Sequence, residues 1–426
     1  MDTIYAPSTG MPPAAIAIVR ISGPAALPAA RALASALPVP REARVRTLRD
    51  PASGDHLDRA LVLVFPGPAT ATGEDLVELH LHGGRAIVAA VEMALAAQPG
   101  LRRAEPGEFT RRALANGRID LAEAEGLGDL LSAETELQRR AALSMADGVL
   151  SRRIAAWRAD LLGLAARIEA SLDFSDEADV PAALLDDIRR QARAVADDMA
   201  ATLAAPTVER LRDGVRVVLA GPPNSGKSTL LNALVRREAA IVSPIAGTTR
   251  DRIEVSVGRA GIPFVLTDTA GLRADTEDAI ERLGIARADE AIAGADLVLW
   301  LGDEPPPQRT MLWLHARADQ PGRTERPAGR LLAVSSQHDA SVEALWSMIA
   351  DRAAALIPKP GDLAFNARQA GHCHTALEAL KDMASTDEIV VADALRRANA
   401  ALSRITGDIG VEAMLDALFG KFCIGK

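Results

Sequence analysis

Residues 221–228 read Gly221-Pro222-Pro223-Asn224-Ser225-Gly226-Lys227-Ser228, a complete GxxxxGKS phosphate loop, and their flanks decide the fold. Ahead of the loop, Val215 to Ala220 (VRVVLA) has the apolar character of a buried parallel strand; behind it, Thr229 to Val235 (TLLNALV) continues as a helix. Strand, glycine-rich turn and helix start, in that order, leave backbone amides free to cradle a polyphosphate. Lys227 is then expected along the β and γ phosphates, with the Ser228 hydroxyl on a Mg²⁺ that bridges them. Further on, Phe264 to Thr267 (FVLT) reads as a second apolar strand, closed by Asp268-Thr269-Ala270-Gly271. That DxxG places an Asp on the Mg²⁺ shell and a glycine amide at the γ phosphate. Between the two lies Gly247-Thr248-Thr249-Arg250-Asp251, from which Thr249 can complete the Mg²⁺ shell. Three phosphate elements in order predict a doubly wound α/β domain that hydrolyses a nucleoside triphosphate.

Base choice rests on a damaged motif. After the strand Met311 to His315 (MLWLH), where Asn-Lys-x-Asp belongs, the chain reads Ala316-Arg317-Ala318-Asp319. Asp319 can accept both N–H donors of guanine, which adenine does not offer, so GTP is the expected nucleotide. Loss of the Asn amide is expected to weaken binding by roughly 1–3 kcal/mol. Ser335, Ser336 and Gln337 fall where a guanine-contacting loop would lie. Leu272 stands where small signalling GTPases carry a water-orienting Gln, and an apolar side chain orients no water. The candidates for that work are Glu281 and a monovalent cation held by Asn224 in the place of an arginine finger.

At 426 residues the chain has room for two or three domains. A net charge of −9 argues against a surface given over to nucleic acid, and 3% aromatic residues leave few base-stacking platforms, so RNA contact is expected to be local or shared with a partner. Two cysteines, Cys373 and Cys423, build no disulfide framework, and neither a signal peptide nor a membrane-length apolar run is evident, so a cytoplasmic protein is expected.

From 1 to 118 the pattern is α+β. Ala15 to Ser22 and Ala60 to Phe65 read as buried strands, and Leu76 to His82 (LVELHLH) alternates, placing Glu78, His80 and His82 on one face. That trio resembles a metal site but lacks a further ligand nearby, so a structural role is the expectation. Asp120 to roughly Ala204 reads as almost uninterrupted helix, broken near Asp173-Phe174-Ser175-Asp176 and at Pro181, Pro206 marks a linker, and Leu363 to Phe419 is helical again, so a nucleotide domain over 214–357 is expected to be inserted in a helical domain over 119–213 and 358–426 with its two ends close together. His372, Cys373 and His374 point in different directions on a helix and are read as structural, and Trp157, Trp300, Trp313 and Trp346 as core.

Taken together, these motifs name a family. Val19-Arg20-Ile21-Ser22-Gly23, Thr72-Gly73-Glu74-Asp75, His82-Gly83-Gly84, Pro106-Gly107-Glu108-Phe109, the loop Gly247 to Asp251 and the terminal Cys423-Ile424-Gly425-Lys426 closely resemble the MnmE (TrmE) family of tRNA modification GTPases over essentially the whole chain. The resemblance implies a Ras-like P-loop domain and a homodimer joined through N-terminal domains that bind 5,10-methylene- or 5-formyl-tetrahydrofolate. It also implies GTPase domains that meet across the dimer, and a flavoprotein partner, MnmG (GidA), in a heterotetramer. The pair adds an aminomethyl or carboxymethylaminomethyl group to carbon 5 of the wobble uridine of certain tRNAs.

By the same resemblance, Arg20, Glu78, Arg118 and Lys426 fall at folate positions, Arg118 replacing the usual Lys. Potassium ligands fall on Asn224, Ser243, the Ile245 carbonyl and Thr248, and Mg²⁺ ligands on Ser228 and Thr249. The water-positioning carboxylate falls on Glu281. The GTP contacts span Gly221, Asn224 to Thr229, Ser243 to Thr249 (with Pro244, Ala246 and Gly247), Asp268 to Gly271, Asp319 and Ser335 to Gln337. Ala316-Arg317 departs from the family's Asn-Lys. Two rivals are weaker: a purely regulatory ribosome- or membrane-associated GTPase leaves the folate residues and Lys426 unexplained, and a scaffold without turnover leaves Lys227, Ser228, Asp268 and Glu281 unexplained.

Overall fold

A computed structural model describes residues 2–173, 182–236, 254–269, 288–359, 361–407, 418–420, 422 and 424–425. The chain divides into two units, one of residues 1–128, 146–154 and 403–426, the other of 129–145 and 155–402.

In the first unit, β1 (Thr3–Pro7), β2 (Ile16–Ser22), β3 (Arg44–Arg49), β4 (His56–Phe65), β5 (Leu76–His82) and β6 (Leu101–Arg103) make one sheet in the order β3-β4-β5-β2-β1-β6. Neighbours run antiparallel, except that β1 and β6 are parallel. The period-two alternation decides what is inside: Val77, Leu79 and Leu81 of β5 and Val62 and Val64 of β4 are buried with helices α1 (Ala26–Ala34) and α2 (Arg85–Ala96). Strand β4 starts four residues ahead of its apolar run because buried Asp58 is satisfied there: the His82 amide donates to it at 2.8 Å, and His82 Nδ1 lies 2.7 Å from its other oxygen. Helix α3 (Glu108–Ala115) follows. The C-terminal tail belongs to this unit as well. Ile424 forms an antiparallel bridge with Pro106, Ser8 Oγ donates to the Gly425 carbonyl at 2.9 Å, and Gly425, at φ +96°, lies so close to the Pro7 carbonyl that no Cβ fits.

Helices α4 (Leu121–Ser132), α5 (Glu136–Ala146), α6 (Val149–Asp173), α7 (Ala182–Leu203) and α8 (Glu209–Asp213) come next. The expectation of near-continuous helix is corrected at two joints. At the first, Gln138 and Thr135 cap α5 reciprocally, the Thr135 amide donating to Gln138 Oε1 at 2.8 Å and the Gln138 amide to Thr135 Oγ1 at 3.3 Å. At the second, Gly148 sits at φ +74°, which a continuing helix does not allow.

The second unit holds the second sheet: β7 (Val215–Ala220), β8 (Glu254–Arg259), β9 (Ile262–Asp268), β10 (Leu297–Trp300), β11 (Leu312–Ala316) and β12 (Leu332–Val334), in the order β12-β11-β10-β7-β9-β8. All pairs are parallel except β8 with β9. Helices α9 (Lys227–Arg236) and α10 (Asp339–Ala354) bury Leu230, Leu234, Leu345 and Trp346 against it, and Trp346 meets Phe264 edge-on at 5.3 Å. Strand β7 lies between β9 and β10, so the chain leaves it in opposite directions and opens a crevice at its carboxyl end, where the phosphate loop begins. Trp157 and Trp346 are core as expected. Trp300 and Trp313 are only half-buried, and Arg330 lies 4.2 Å over the Trp313 ring.

Helix α11 (Ala367–Leu380) opens on a capping box between Asn366 and Gln369, and α12 (Glu388–Thr406) follows a short 3₁₀ turn. The segment that carries the second sheet leaves and rejoins the helices at one place. The Val208 amide donates to the Phe365 carbonyl at 3.1 Å, and the Ala367 amide to Glu209 Oε1 at 2.5 Å.

Candidate functional site

The phosphate loop turns through three residues of positive φ, the first being Gly221 at +150°. Gly226 is at +96°, where a side chain is strained, and Asn224 is at +60°, a region that Asn tolerates. The turn delivers Lys227, only 5% exposed, into the loop, where its ammonium donates to the Gly221 carbonyl at 3.0 Å and the Pro222 carbonyl at 2.9 Å. The Ser225 hydroxyl is buried without a hydrogen-bond partner among the described residues. An orphaned donor beside a buried ammonium fits an anionic, oxygen-rich ligand. At the helix start Ser228 Oγ donates to the Asp268 carboxylate, which ends β9 and is 1% exposed. A hydroxyl and a carboxylate in contact are hard oxygen donors of the kind that Mg²⁺ takes. Thr269 turns away, its hydroxyl donating to the Leu219 carbonyl at 2.9 Å.

A cavity of about 370 Å³ opens beside the loop, lined by Asn224, Gly226 and Thr229 on one side and by Arg317, Asp319 and Gln337 on the other, with Ser336 also on its wall. The Ser335 hydroxyl, by donating to Asp319, holds that carboxyl below its usual range. It is therefore anionic at neutral pH and purely an acceptor, which suits the paired N–H donors of guanine. Ala316 closes β11 and presents no amide. Arg317, treated by the sequence as a departure, crosses the gap instead: Nη1 donates to the Asn224 carbonyl at 3.1 Å, and its Cγ would lie 3.4 Å from a Cβ on Gly226. Gln320 also lines the cavity, and no motif flagged it.

In the first unit, Arg20 and Arg118 line a second cavity of about 380 Å³ together with Thr72, Phe109 and Leu127. Glu78 does not line it; it accepts from Arg20 Nη2 at 2.9 Å and Nε at 3.2 Å, while His80 Nε2 lies 3.3 Å from its second oxygen. A guanidinium held by a carboxylate 5.7 Å from the Phe109 ring gives the cavity a fixed cation beside an aromatic wall, which fits an anionic heteroaromatic ligand. Glu78 thus joins Arg20 and His80, while His82 of the same strand pairs instead with Asp58 of β4. Ser243, Pro244, Ile245, Ala246, Gly247, Thr248, Thr249, Ala270, Gly271, Leu272, Glu281, Cys423 and Lys426 lie outside the described residues. Among the described residues no helix is long and apolar enough to cross a membrane.

A parallel sheet with a GxxxxGKS loop at its switch point, an Asp at the end of the neighbouring strand and a guanine-type acceptor across the crevice define a P-loop GTPase, an enzyme that hydrolyses GTP. The profile described as the GTP-binding protein TrmE N-terminus matches residues 3–118, and that of the MnmE helical domain matches residues 121–423. A tRNA modification GTPase MnmE of Novosphingobium aromaticivorans is 53% identical over 438 residues, covering 100% of both chains. That of Rhizorhabdus wittichii is 54% identical over 428 residues, covering 100% of this chain and 97% of its own, and that of Zymomonas mobilis is 48% identical with 100% of both covered. The chain belongs to the MnmE family of tRNA modification GTPases.

Proposed function

We propose that this chain uses GTP hydrolysis as a conformational switch in the modification of wobble uridine in tRNA, acting in the cytoplasm as a homodimer with the flavoprotein MnmG. The division is into a folate-binding domain over 1–118, a helical domain over 119–213 and 358–426, and a GTPase domain over 214–357. In this reading Lys227 and the loop amides grip the β and γ phosphates, Asp319 reads guanine, and Glu281 positions the attacking water. Ser228, Asp268 and Thr249 would hold Mg²⁺, and Asn224, Ser243, Thr248 and the Ile245 carbonyl would hold K⁺. Bound there, the two cations would offset the charge that develops on the phosphoryl oxygens. Arg20 would bind the folate's anionic end or ring edge, with Glu78 fixing its orientation and Arg118 and Lys426 completing the pocket.

One observation carries the reading most: the loop that holds the buried Lys227 ammonium on its Gly221 and Pro222 carbonyls also lines, through Asn224 and Gly226, the cavity that Asp319 lines from the other side. GTP turnover measured in potassium and in sodium, at saturating GTP and Mg²⁺, tests it. Faster turnover in potassium is expected, because the smaller sodium ion fits that oxygen cage poorly. Equal rates would remove the cation from the mechanism. Titration with 5-formyl-tetrahydrofolate tests the second cavity, and an unchanged affinity in Arg20→Ala would empty it of that role.

A further inference from the structure

The loop that should be anchored by an Asn amide is held here by a different device. Asp303, in the connection after β10, accepts from Arg323 Nη2 at 2.6 Å and Nη1 at 3.0 Å, a two-pronged pair. The same Arg323 donates from Nε to the Ala316 carbonyl at 3.1 Å, the residue that stands in place of the Asn. Arg317 Nη2 approaches Asp303 to 3.8 Å while its Nη1 donates to the Asn224 carbonyl at 3.1 Å. Arg330 comes within 3.9 Å of the carboxylate from a third side and donates to the Asp303 carbonyl at 2.5 Å. One carboxylate thus gathers three arginines, and two of them reach the main chain on either side of the nucleotide cavity. The Arg323 hydrogen bonds keep the Asp303 carboxyl below its usual range, so it is anionic at neutral pH.

We infer that Asp303 and Arg323 are positioning residues for guanine recognition, a clamp that fixes the Ala316–Asp319 loop in the absence of the Asn side chain and, through Arg317, ties it to the phosphate loop at Asn224. The inference rests on Asp319 being the guanine acceptor. Asp303 touches no nucleotide in this arrangement: the cavity is lined by Ala316, Arg317 and Asp319, not by Asp303 or Arg323. Its effect is therefore on where Asp319 points. A carboxylate 57% exposed contributes little as an isolated pair, but a two-pronged pair within a cluster is the favourable exception, so a modest effect is expected.

Calorimetric titration with GDP and with inosine diphosphate, which lacks the exocyclic amine, tests the clamp in wild type, Asp303→Asn, Arg323→Lys, Ala316→Asn and the double variant Asp303→Asn/Ala316→Asn. Asp303→Asn should weaken GDP about two- to fivefold and inosine diphosphate less, lowering the ratio between them. Arg323→Lys, which keeps the charge and loses the fork and the Nε donor, should lower the ratio in the same way. In the Ala316→Asn background the Asp303→Asn loss should shrink, because an amide then anchors the loop. An unchanged ratio, an equal loss for both nucleotides, or an undiminished loss in that background each overturns the clamp. Should the wild type itself fail to prefer GDP over inosine diphosphate, the assignment of Asp319 falls and the clamp with it.

Discussion

Replacing Lys227 with Ala removes a buried cation from between two carbonyls. In the native loop its ammonium is 5% exposed and donates to Gly221 and Pro222 at 3.0 and 2.9 Å, contacts that bound phosphate oxygens would take over or share. Removing one partner of a buried charge pair costs about 2–5 kcal/mol, so GDP affinity should fall about 30- to 4000-fold, at tenfold per 1.4 kcal/mol. The carbonyls are part of the loop rim and recover water, so folding should suffer far less than binding. Lys227→Arg should not restore affinity, because a planar guanidinium cannot sit where a compact ammonium lies about 3 Å from both carbonyls. Calorimetric titration with GDP and Mg²⁺ gives the affinity, and tryptophan fluorescence through thermal unfolding reports the fold. Affinity within fivefold of wild type, with the native fold retained, would refute the argument that this ammonium carries the phosphate grip. Folate titration of the same variant should be unchanged, since Arg20 and Arg118 line a separate cavity.

Two variants divide the proposed catalytic work: Asn224→Ala should abolish the difference between potassium and sodium rates, whereas Glu281→Ala should lower kcat and leave potassium-driven association of the GTPase domains intact, both read by turnover and by light scattering. Acid should unfold the N-terminal unit through Glu108. Burial raises its carboxyl, but hydrogen bonds from Arg102, the Glu105 amide and Arg112 outweigh this and hold it below the ordinary 4.5. A depressed folded-state value means stability present above 4.5 and lost as pH falls through the folded value, so the unfolding midpoint should drop as pH falls below 4.5, and Glu108→Gln should flatten that dependence. Cys373 is fully buried and its thiol is pushed up to about 12 by burial, so in a Cys423→Ser background iodoacetamide should label it only after denaturant unfolds the chain; labelling of the folded protein would overturn its burial.

Much of the chemistry was legible in the chain because it depends on short spacings. A phosphate loop is eight consecutive residues whose amides converge wherever a strand feeds a helix, so Lys227 and Ser228 could be placed by number alone. The alternation of Leu76 to His82 likewise fixed which face of β5 enters the core, since the side-chain period of a strand is two. What the spacing could not hold was any relation between distant loops. The β5 face read as a trio of possible metal ligands is divided between two partners, because antiparallel pairing sets Arg20 opposite Glu78 and Asp58 of β4 takes His82. Arg317 read as a loss, yet its partners Asn224 and Asp303 lie 93 and 14 positions away, and only the parallel order β11-β10-β7 brings all three to one end of the sheet. Local sequence determines which groups a turn presents, because backbone geometry is short-ranged. Which charge meets which is decided by the packing of elements far apart in the chain, and the contacts of Arg317 with Asn224 and Asp303 are of that second kind.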